Sequence, residues 1–154
     1  MDQAETNAIL NKSLRFSSDL VFLALTVWRE ARGEIEECQL AVACSILNRV
    51  ARPYWWGNDI SSVVFKRLQY SSLTYRNDPQ LTTWPDKSDN PVWVQCLQVA
   101  SKALCGAAEN PASGADSYYD DSISAPKWAT PDTFVRKIGR IAFYNTDHDH
   151  EVST

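Results

Sequence analysis

The sequence lacks the features that mark several common protein classes. Its formal net charge is −4 over 154 residues, which argues against a protein that binds duplex nucleic acid through a basic face. The apolar run from Leu20 to Trp28 is far shorter than the roughly 20 residues that a membrane-spanning helix needs. Residues 1–18 are polar and carry acidic residues early, unlike a signal peptide with its basic start and apolar centre. We therefore expect synthesis in the cytoplasm and no stable insertion into a membrane.

The cysteines show no metal-binding spacing, and the histidines are confined to one short segment near the end of the sequence. The four cysteines are Cys38, Cys44, Cys96 and Cys105. They include no CxxC pair and lie among apolar neighbours in predicted helices, so we interpret them as reduced residues of the core. The two histidines fall in the segment Asp147–Glu151, which we interpret as a solvated tail, with a metal-binding tract as the alternative. We expect no metal and no cofactor, and a cysteine peptidase is disfavoured because no histidine is placed to assist a thiol.

Most of the chain is predicted to be helical. The composition, with 44% hydrophobic and 22% charged residues, is ordinary for one globular domain. Leu20–Trp28 is predicted to be a buried helix that stops at Gly33. A second apolar helix is predicted over Ile35–Val50 and a short one over Ile60–Arg67. A further helix is predicted between Asn90, as its N-cap, and Gly106.

The rest of the chain is less regular. Residues 68–90 show no periodicity, and a stretch this long in a compact domain is more often functional than idle. Asp116–Tyr119 and Lys137–Tyr144 are each predicted as a short strand, and the two could pair as a ribbon. The expected fold class is therefore mainly α, of the α+β type, with a small β-ribbon.

The most informative segment is Val27–Glu34, with the sequence VWREARGE. There an apolar helix ends in two carboxylates, two arginines and a glycine. Glu30 falls on the last turn, where partial burial would raise the pKa of its carboxyl group. A carboxyl that stays protonated near neutral pH is what a general acid requires. The alternative is a solvated helix end with an ordinary salt bridge to an arginine.

Aromatic residues are numerous, with six Trp and six Tyr. Aromatic side chains commonly fill a core, but their faces also stack on flat ligands with polar edges, such as sugars. For each of them, a core role and a ligand-binding role both remain open.

Six sequence blocks follow one another in the order EARGE, QLAVACSILNRV, QYSS, GADSYYDD, PKWA and KIGRIAFY. In this order, from about Leu20 to Tyr144, the chain resembles the SleB-like (spore cortex-lytic type) cell-wall hydrolase family. That family is similar to the lysozyme and lytic transglycosylase superfamily. The resemblance implies a lysozyme-like helical domain in which a catalytic glutamate ends a buried helix and faces a cleft for peptidoglycan glycan strands. The chain departs from the family's usual residues at Ser72, Leu73, Ser117, Asp120 and Asp121.

The resemblance also implies a division of the chain, and the features that the sequence lacks suggest a setting for its activity. We expect a polar N-terminal segment at 1–19, a lysozyme-like cell-wall hydrolase domain at 20–145 and a flexible tail at 146–154. The expected partner is the peptidoglycan glycan strand, and the expected state is a monomer. With no recognisable signal peptide or wall-binding domain, a phage-type endolysin that reaches the wall after release from the cytoplasm is the expected setting.

The predicted reaction is cleavage of the β-1,4 bond between N-acetylmuramic acid and N-acetylglucosamine. Glu30 is the predicted acid, with Glu34, beyond the glycine, as a secondary group. A lysozyme-type muramidase would need a second carboxylate, for which Asp116, Asp120 and Asp121 are candidates. The resemblance favours a lytic transglycosylase, in which one glutamate acts first as acid and then as base. A glycan-binding module without catalytic activity is the remaining alternative.

The residues predicted to bind the glycan have polar or aromatic side chains suited to a groove. They are Glu34, Gln69, Tyr70, Ser71, Tyr118, Tyr119 and Trp128. Arg29 and Arg32 are expected to face solvent or brace a loop rather than to act directly.

Overall fold

The structure, a computed structural model, describes residues 1–67 and 69–146, apart from the side chains of residues 53 and 54. In chain order its elements are α1 (Gln3–Ala31), α2 (Glu36–Ala51), α3 (Pro53–Trp56), α4 (Ile60–Val64), α5 (Ser71–Thr74), a 3-10 helix (Pro79–Thr82), α6 (Pro91–Cys105), β1 (Ser117–Asp120), β2 (Phe134–Ile138) and β3 (Ile141–Tyr144). The α+β class with a helical majority is confirmed. Within the described ranges, no helix combines the length and the apolar character needed to cross a membrane. The segment 147–151, interpreted above as a solvated tail, lies outside the described residues.

Helix α1 extends well beyond the apolar run that predicted it. Leu20–Trp28 is helical as predicted, but the helix begins at Gln3 and includes most of the polar segment. A capping box starts it: the Asp2 side chain accepts a hydrogen bond from the Glu5 amide, and the Glu5 side chain accepts one from the Asp2 amide. Burial begins only at Leu23. The apolar run therefore marks where the helix enters the core, and the cap marks where it begins.

The core is formed by α1, α2 and α6, which pack against one another. The helix predicted over 35–50 corresponds to α2, and the one predicted after Asn90 corresponds to α6. Asn90 accepts hydrogen bonds from the amides of Val92 and Trp93, and Gly106 ends the helix with a φ of 63°, which glycine adopts without steric cost. One side of α6 is apolar, and its side chains are buried in the core or packed against it: Trp93, Cys96, Leu97, Ala100, Ala103 and Leu104.

The segment between α4 and α6 has more local order than its lack of periodicity indicated. α4 ends at Val64, earlier than predicted. α5 and the 3-10 helix that follows it are about one turn each, which is too short to produce an apolar repeat. Asp78 caps the 3-10 helix by accepting a hydrogen bond from the Gln80 amide at 2.8 Å. α5 packs against α1, so this segment lies beside the helix that carries Glu30.

The three strands form an antiparallel sheet in the order β1-β3-β2. Pairing between the two predicted segments is confirmed, with Tyr118 opposite Phe143. The prediction of one strand over 137–144 is wrong, because Gly139, with a φ of 59°, turns the chain and separates β2 from β3. Ile138 and Ile141 face each other across this two-residue turn. The glycine interrupts an otherwise strand-like pattern and permits the tight hairpin.

The cysteines form no disulfide, but they are not all core residues. Cys38, Cys44 and Cys96 are buried thiols, as predicted, whereas Cys105 is exposed, so its assignment to the core is wrong. At about 100° per residue, Cys105 falls on the opposite side of α6 from Cys96. Burial raises the pKa of Cys38 to about 12 and the pKa values of Cys44 and Cys96 to about 11. These three thiols therefore stay protonated and unreactive at neutral pH.

Candidate active site

Glu30 lies where the buried part of α1 ends. The helix is buried from Leu23 to Arg29, and Glu30, its next-to-last residue, is partly buried. Its Oε1 accepts a hydrogen bond of 2.5 Å from Oγ of Ser72, a buried residue of α5. The predicted position of Glu30 on the last turn of an apolar helix is confirmed. Its carboxyl group is held by a contact from a distant part of the chain.

Burial raises the pKa of the Glu30 carboxyl above its ordinary value and is the largest effect on it. The negative charge of Asp78 also raises this pKa, whereas the hydroxyl groups of Ser72 and Tyr118 and the positive charge of Arg49 lower it. Because the net direction is upward, a larger fraction of Glu30 is protonated at neutral pH than of an exposed glutamate. That is the state in which a carboxyl group acts as a general acid.

Two buried tyrosine hydroxyls lie beside this carboxyl group. The hydroxyls of Tyr70 and Tyr118 are shielded from solvent, and neither has a hydrogen-bond partner at standard distance and angle among the described residues. The Tyr118 hydroxyl is nevertheless close enough to Glu30 to lower the pKa of its carboxyl group. Burial raises the pKa of Tyr70 to about 12 and that of Tyr118 well above its ordinary value, and the charge of Glu30 acts in the same direction. Both phenols therefore stay protonated and keep a hydroxyl proton that can be donated in a hydrogen bond.

Arg49 of α2 contributes a positive charge to the same region. Its guanidinium lies over the rings of Trp56 and Tyr70, with Cζ at 4.1 Å and 5.0 Å from the ring centroids. Its Nε donates to the carbonyl oxygen of Asp116 at 2.5 Å, and its Nη1 donates to Oε1 of Gln69 at 3.4 Å. The planar guanidinium is thereby fixed from several sides. It connects α2 with the residue before β1 and with the segment before α5.

Arg29 braces the segment from α5 to the end of the 3-10 helix against the end of α1. A bracing role was one of the two that the sequence indicated, but the side chain acts from a buried position. Its Nη1 donates to the carbonyl oxygen of Ser72 at 3.1 Å, and its Nε donates to that of Thr83 at 3.2 Å. Arg32, which is partly buried, donates through Nη1 to Oε1 of Gln80 at 2.7 Å. Both arginines therefore have carbonyl partners, and the alternative of an ordinary salt bridge to Glu30 is not what the structure shows.

Asp78 is a second carboxylate near the site. Its Oδ2 accepts a hydrogen bond of 2.6 Å from Oγ of Ser71, and its Oδ1 accepts the hydrogen bond from Gln80 that caps the 3-10 helix. Its charge contributes to the raised pKa of Glu30. Asp78 therefore lies within electrostatic reach of the predicted acid.

The aspartates that the sequence offered as second carboxylates have other roles. Asp116 is fully buried, and its Oδ1 accepts hydrogen bonds from the hydroxyl of Ser117 and from both the amide and the hydroxyl of Thr146. Asp120 and Asp121 form ion pairs with basic residues of the β2–β3 hairpin. These contacts assign Asp116 to the core and the other two to the hairpin surface.

The aromatic residues of β1 that were predicted to bind the glycan lie on opposite faces of the sheet. Tyr118 packs against the core and lies beside Glu30. Tyr119 follows it in the strand and points to the opposite face, where its ring stacks on Tyr144 at 5.8 Å and meets the Trp128 ring edge-on at 6.3 Å. The structure thus brings Tyr118 to the predicted acid, and Tyr119 and Trp128 belong to a separate aromatic cluster.

The other residues predicted to bind the glycan also lie in different places, some beside the acid and some away from it. Gln69 and Tyr70 both contact the buried arginine of α2 and so belong to the same region as the acid. Ser71 is exposed and lies beside the second carboxylate. Glu34 lies against the β2–β3 turn, where its Oε2 is 2.7 Å from the position that a Cβ on Gly139 would take.

Three residues of the site were not among the predicted ones: Ser72, Asp78 and Arg49. A signal for Arg49 was present, because Val42 and Ile46 place it at helical spacing on the buried face of α2. Ser72 directly follows the predicted ligand Ser71, but no pattern distinguished the two. Asp78 acquires its position only because a non-periodic segment folds beside α1.

The sequence is similar to a described protein family and to several curated proteins. Residues 33–144 match the model of a family described as cell wall hydrolase, a segment that begins just after Glu30. The chain is 28% identical over 145 residues to a spore cortex-lytic enzyme of Halalkalibacterium halodurans. This match covers 94% of this chain and 40% of that protein. It is 26% identical over 129 residues to a spore cortex-lytic enzyme of Bacillus subtilis, covering 82% of this chain and 37% of that protein. The chain thus spans about 40% of the length of the curated relatives it matches.

Two solved structures share the fold. One is the catalytic domain of the germination-specific lytic transglycosylase SleB from Bacillus anthracis, with a TM-score of 0.64 and 27% identity, covering 82% of this chain and 93% of that one. The other is the catalytic domain of the Bacillus cereus SleB protein, with a TM-score of 0.65 and 27% identity, covering 83% and 90% of the two chains. The chain therefore has the fold of a SleB catalytic domain over most of its length.

Proposed function

Because the chain belongs to the cell wall hydrolase family, we propose that it cleaves the glycan strands of peptidoglycan with Glu30 as the general acid. The bond that we assign is the β-1,4 linkage between N-acetylmuramic acid and N-acetylglucosamine. The observation that carries the assignment is the Glu30 carboxyl itself, which is partly buried at the end of an apolar helix and has a raised pKa.

In the first step, Glu30 gives its proton to the oxygen of the glycosidic bond. The bond between this oxygen and C1 of the muramic acid residue breaks, the N-acetylglucosamine side leaves as a neutral alcohol, and positive charge develops at C1. Glu30 is left as a carboxylate, which the hydroxyl of Ser72 and the positive charge of Arg49 stabilise. The site therefore favours a protonated acid at the start and accommodates its charge once the proton has moved.

We favour a lytic transglycosylase for the second step. The 6-hydroxyl of the same muramic acid residue attacks C1, and Glu30 takes up the hydroxyl proton, which closes a 1,6-anhydro ring and regenerates the acid. This route needs no second carboxylate. In its support, the aspartates offered by the sequence are engaged elsewhere, and one solved relative is named a lytic transglycosylase.

A hydrolytic muramidase is the second candidate, and Asp78 is the observation in its favour. In that route Asp78 would activate a water molecule or stabilise the charge at C1, and a reducing sugar end would result. Its contacts with Ser71 and with the start of the 3-10 helix hold it in a fixed position beside the site.

Glycan binding is assigned to the groups around the acid. The protonated hydroxyls of Tyr70 and Tyr118 can donate to acceptors on the sugar, such as an acetamido carbonyl. A ligand that accepts a bond from Tyr70 relieves the cost of a buried hydroxyl without a partner among the described residues, which is about 1–3 kcal/mol for an unsatisfied group.

Mass spectrometry of digested peptidoglycan tests the two routes. We expect anhydro-muramic ends from the wild-type protein and from the Asp78→Asn variant, because the transglycosylase route uses Glu30 alone. Reducing muramic ends that disappear with Asp78→Asn would overturn this route in favour of the muramidase. Binding of glycan strands without release of soluble fragments would contradict both and indicate a binding module.

The biological setting that we propose is that of a phage-type lysis enzyme that meets the wall after release from the cytoplasm. Expression of the chain in bacterial cells together with a membrane-permeabilising protein should cause lysis, whereas either protein alone should not. Lysis without permeabilisation would contradict a role that depends on release.

A further inference from the structure

Ser72 is held at two points by two consecutive residues of α1. Its hydroxyl donates to Oε1 of Glu30 at 2.5 Å, and its carbonyl oxygen accepts a hydrogen bond from Nη1 of Arg29 at 3.1 Å. Ser72 and Arg29 are 3% and 8% exposed, so the contact between them is shielded from water, whereas the contact with the partly buried Glu30 is partly shielded. One residue of α5 is therefore fixed through its backbone and its side chain to the end of the helix that carries the acid.

The local structure explains why the carbonyl group of Ser72 is available to Arg29. α5 has four residues, and the last carbonyl groups of a helix have no partner within it. The backbone hydrogen bonds of this turn run from Leu73 and Thr74 to Tyr70 and from Tyr75 to Ser71. Arg29 supplies the donor for the next carbonyl group along the chain.

We propose that Ser72, held in place by Arg29, is the positioning residue for Glu30: it occupies Oε1, so that Oε2 is the oxygen that carries the proton to the substrate. This inference rests on the role of Glu30 as the acid. A hydroxyl suits the task because it can donate to the carboxylate and can also pair with the protonated acid, so the contact persists through the catalytic cycle. Fixing one oxygen restricts rotation of the carboxyl group and keeps the other oxygen directed at the glycosidic bond.

The groups around Glu30 determine the sign of the expected pH effect. Ser72 and Tyr118 lower its pKa through their hydroxyls and Arg49 through its charge, whereas burial and the charge of Asp78 raise it. Removal of the Ser72 hydroxyl takes away a lowering contribution and leaves the others in place. The pKa of Glu30 should therefore rise, and a general acid with a higher pKa stays protonated to higher pH.

The Ser72→Ala variant should combine two effects that loss of structure alone would not produce together. We expect kcat/KM for glycan cleavage to fall by about 10–100-fold, because misplacement of a reacting group by about 1 Å can cost about 100-fold. At the same time the alkaline limb of the kcat/KM profile should move to higher pH. A limb that stays in place or moves to lower pH would overturn the proposal.

Two further variants distinguish the effect of the Ser72 hydroxyl from the effect of side-chain volume and from the effect of removing any buried hydroxyl. Ser72→Cys keeps nearly the same volume but offers only a weak donor, so its profile should move in the same direction as that of Ser72→Ala. Ser45→Ala removes another buried hydroxyl, which donates to the Val42 carbonyl oxygen at 2.7 Å within α2, and should leave the alkaline limb unchanged. Wild-type behaviour of Ser72→Cys, or an equal shift in Ser45→Ala, would contradict the assignment.

Direct titration of Glu30 by carbon NMR distinguishes this inference from the proposed function. The pKa of Glu30 should be higher in both Ser72 variants than in the wild type, whether or not the protein cleaves glycan. A wild-type protein that releases no fragments, with the pKa still raised by the substitutions, would mean that the function fails while the Ser72 contact stands. Unchanged Glu30 titration in an active enzyme would mean that the Ser72 inference fails while the function stands.

Discussion

Replacement of Glu30 by glutamine is expected to lower the rate of glycan cleavage by about 10²–10⁴-fold, the usual contribution of general acid catalysis. Glutamine keeps the shape of the side chain and can still accept the hydrogen bond from Ser72, but it has no acidic proton to give. Release of soluble fragments from purified cell wall measures the rate. The midpoint of urea unfolding should stay close to the wild-type value, since the side chain is only partly buried.

The matched control is Glu34→Gln. Glu34 lies against the β2–β3 turn and carries the same carboxyl group at the end of the same sequence motif. We expect this variant to lose much less activity than Glu30→Gln. Near wild-type lysis by Glu30→Gln would refute its role as the acid, and a larger loss with Glu34→Gln would reverse the roles of the two residues.

The largest effect on stability is expected from Asp116→Ala. The Oδ1 atom of Asp116 accepts three hydrogen bonds, from the hydroxyl of Ser117 and from the amide and hydroxyl of Thr146, and the residue is fully buried. Its Oδ2 also lies 3.8 Å from Nη1 of Arg52. Alanine would leave several buried donors without an acceptor, and each such group costs about 1–3 kcal/mol. We therefore expect the free energy of unfolding, measured in urea, to fall by about 3 kcal/mol or more.

Asp121→Ala provides the comparison on the surface. Asp121 is exposed and pairs with Lys137 at 2.9 Å, and exposed ion pairs contribute about 0–1 kcal/mol. Its removal should change the free energy of unfolding by less than about 1 kcal/mol. Equal effects of the two substitutions would contradict the structural role assigned to Asp116. A normal unfolding midpoint with abolished cleavage in Asp116→Ala would instead support Asp116 as a second catalytic carboxylate.

Much of the helical framework was predictable because its signals are local. Asn90 and Gly106 mark the two ends of α6. The Asn90 side chain accepts hydrogen bonds from amides two and three residues later, and Gly106 ends the helix directly after its last residue. The apolar run that ends at Glu30 predicts both the burial of α1 and the partly buried position of its last carboxylate. These features depend on residues three or four positions apart, which the sequence displays directly.

The errors occurred where a short-range pattern was incomplete. Gly139 converts one strand-like run into a hairpin, because a single residue with positive φ outweighs the surrounding β propensity. Cys105 has apolar neighbours in the sequence, but the helical rotation directs it away from the core. The apolar pattern did not show where α1 begins, which depends on a polar cap at Asp2.

By itself, then, the sequence determined helices α2 and α6 and the position of Glu30 at the end of α1. Only the tertiary structure decided which groups surround that carboxyl: Ser72 and Asp78 from the non-periodic segment, Arg49 from α2 and Tyr118 from β1. These groups are far apart in the chain, and their arrangement depends on packing and on hydrogen bonds such as those of Arg29 to two backbone carbonyl oxygens. A backbone carbonyl acceptor is the same for every residue type, so the sequence carries no direct sign of which one an arginine will find.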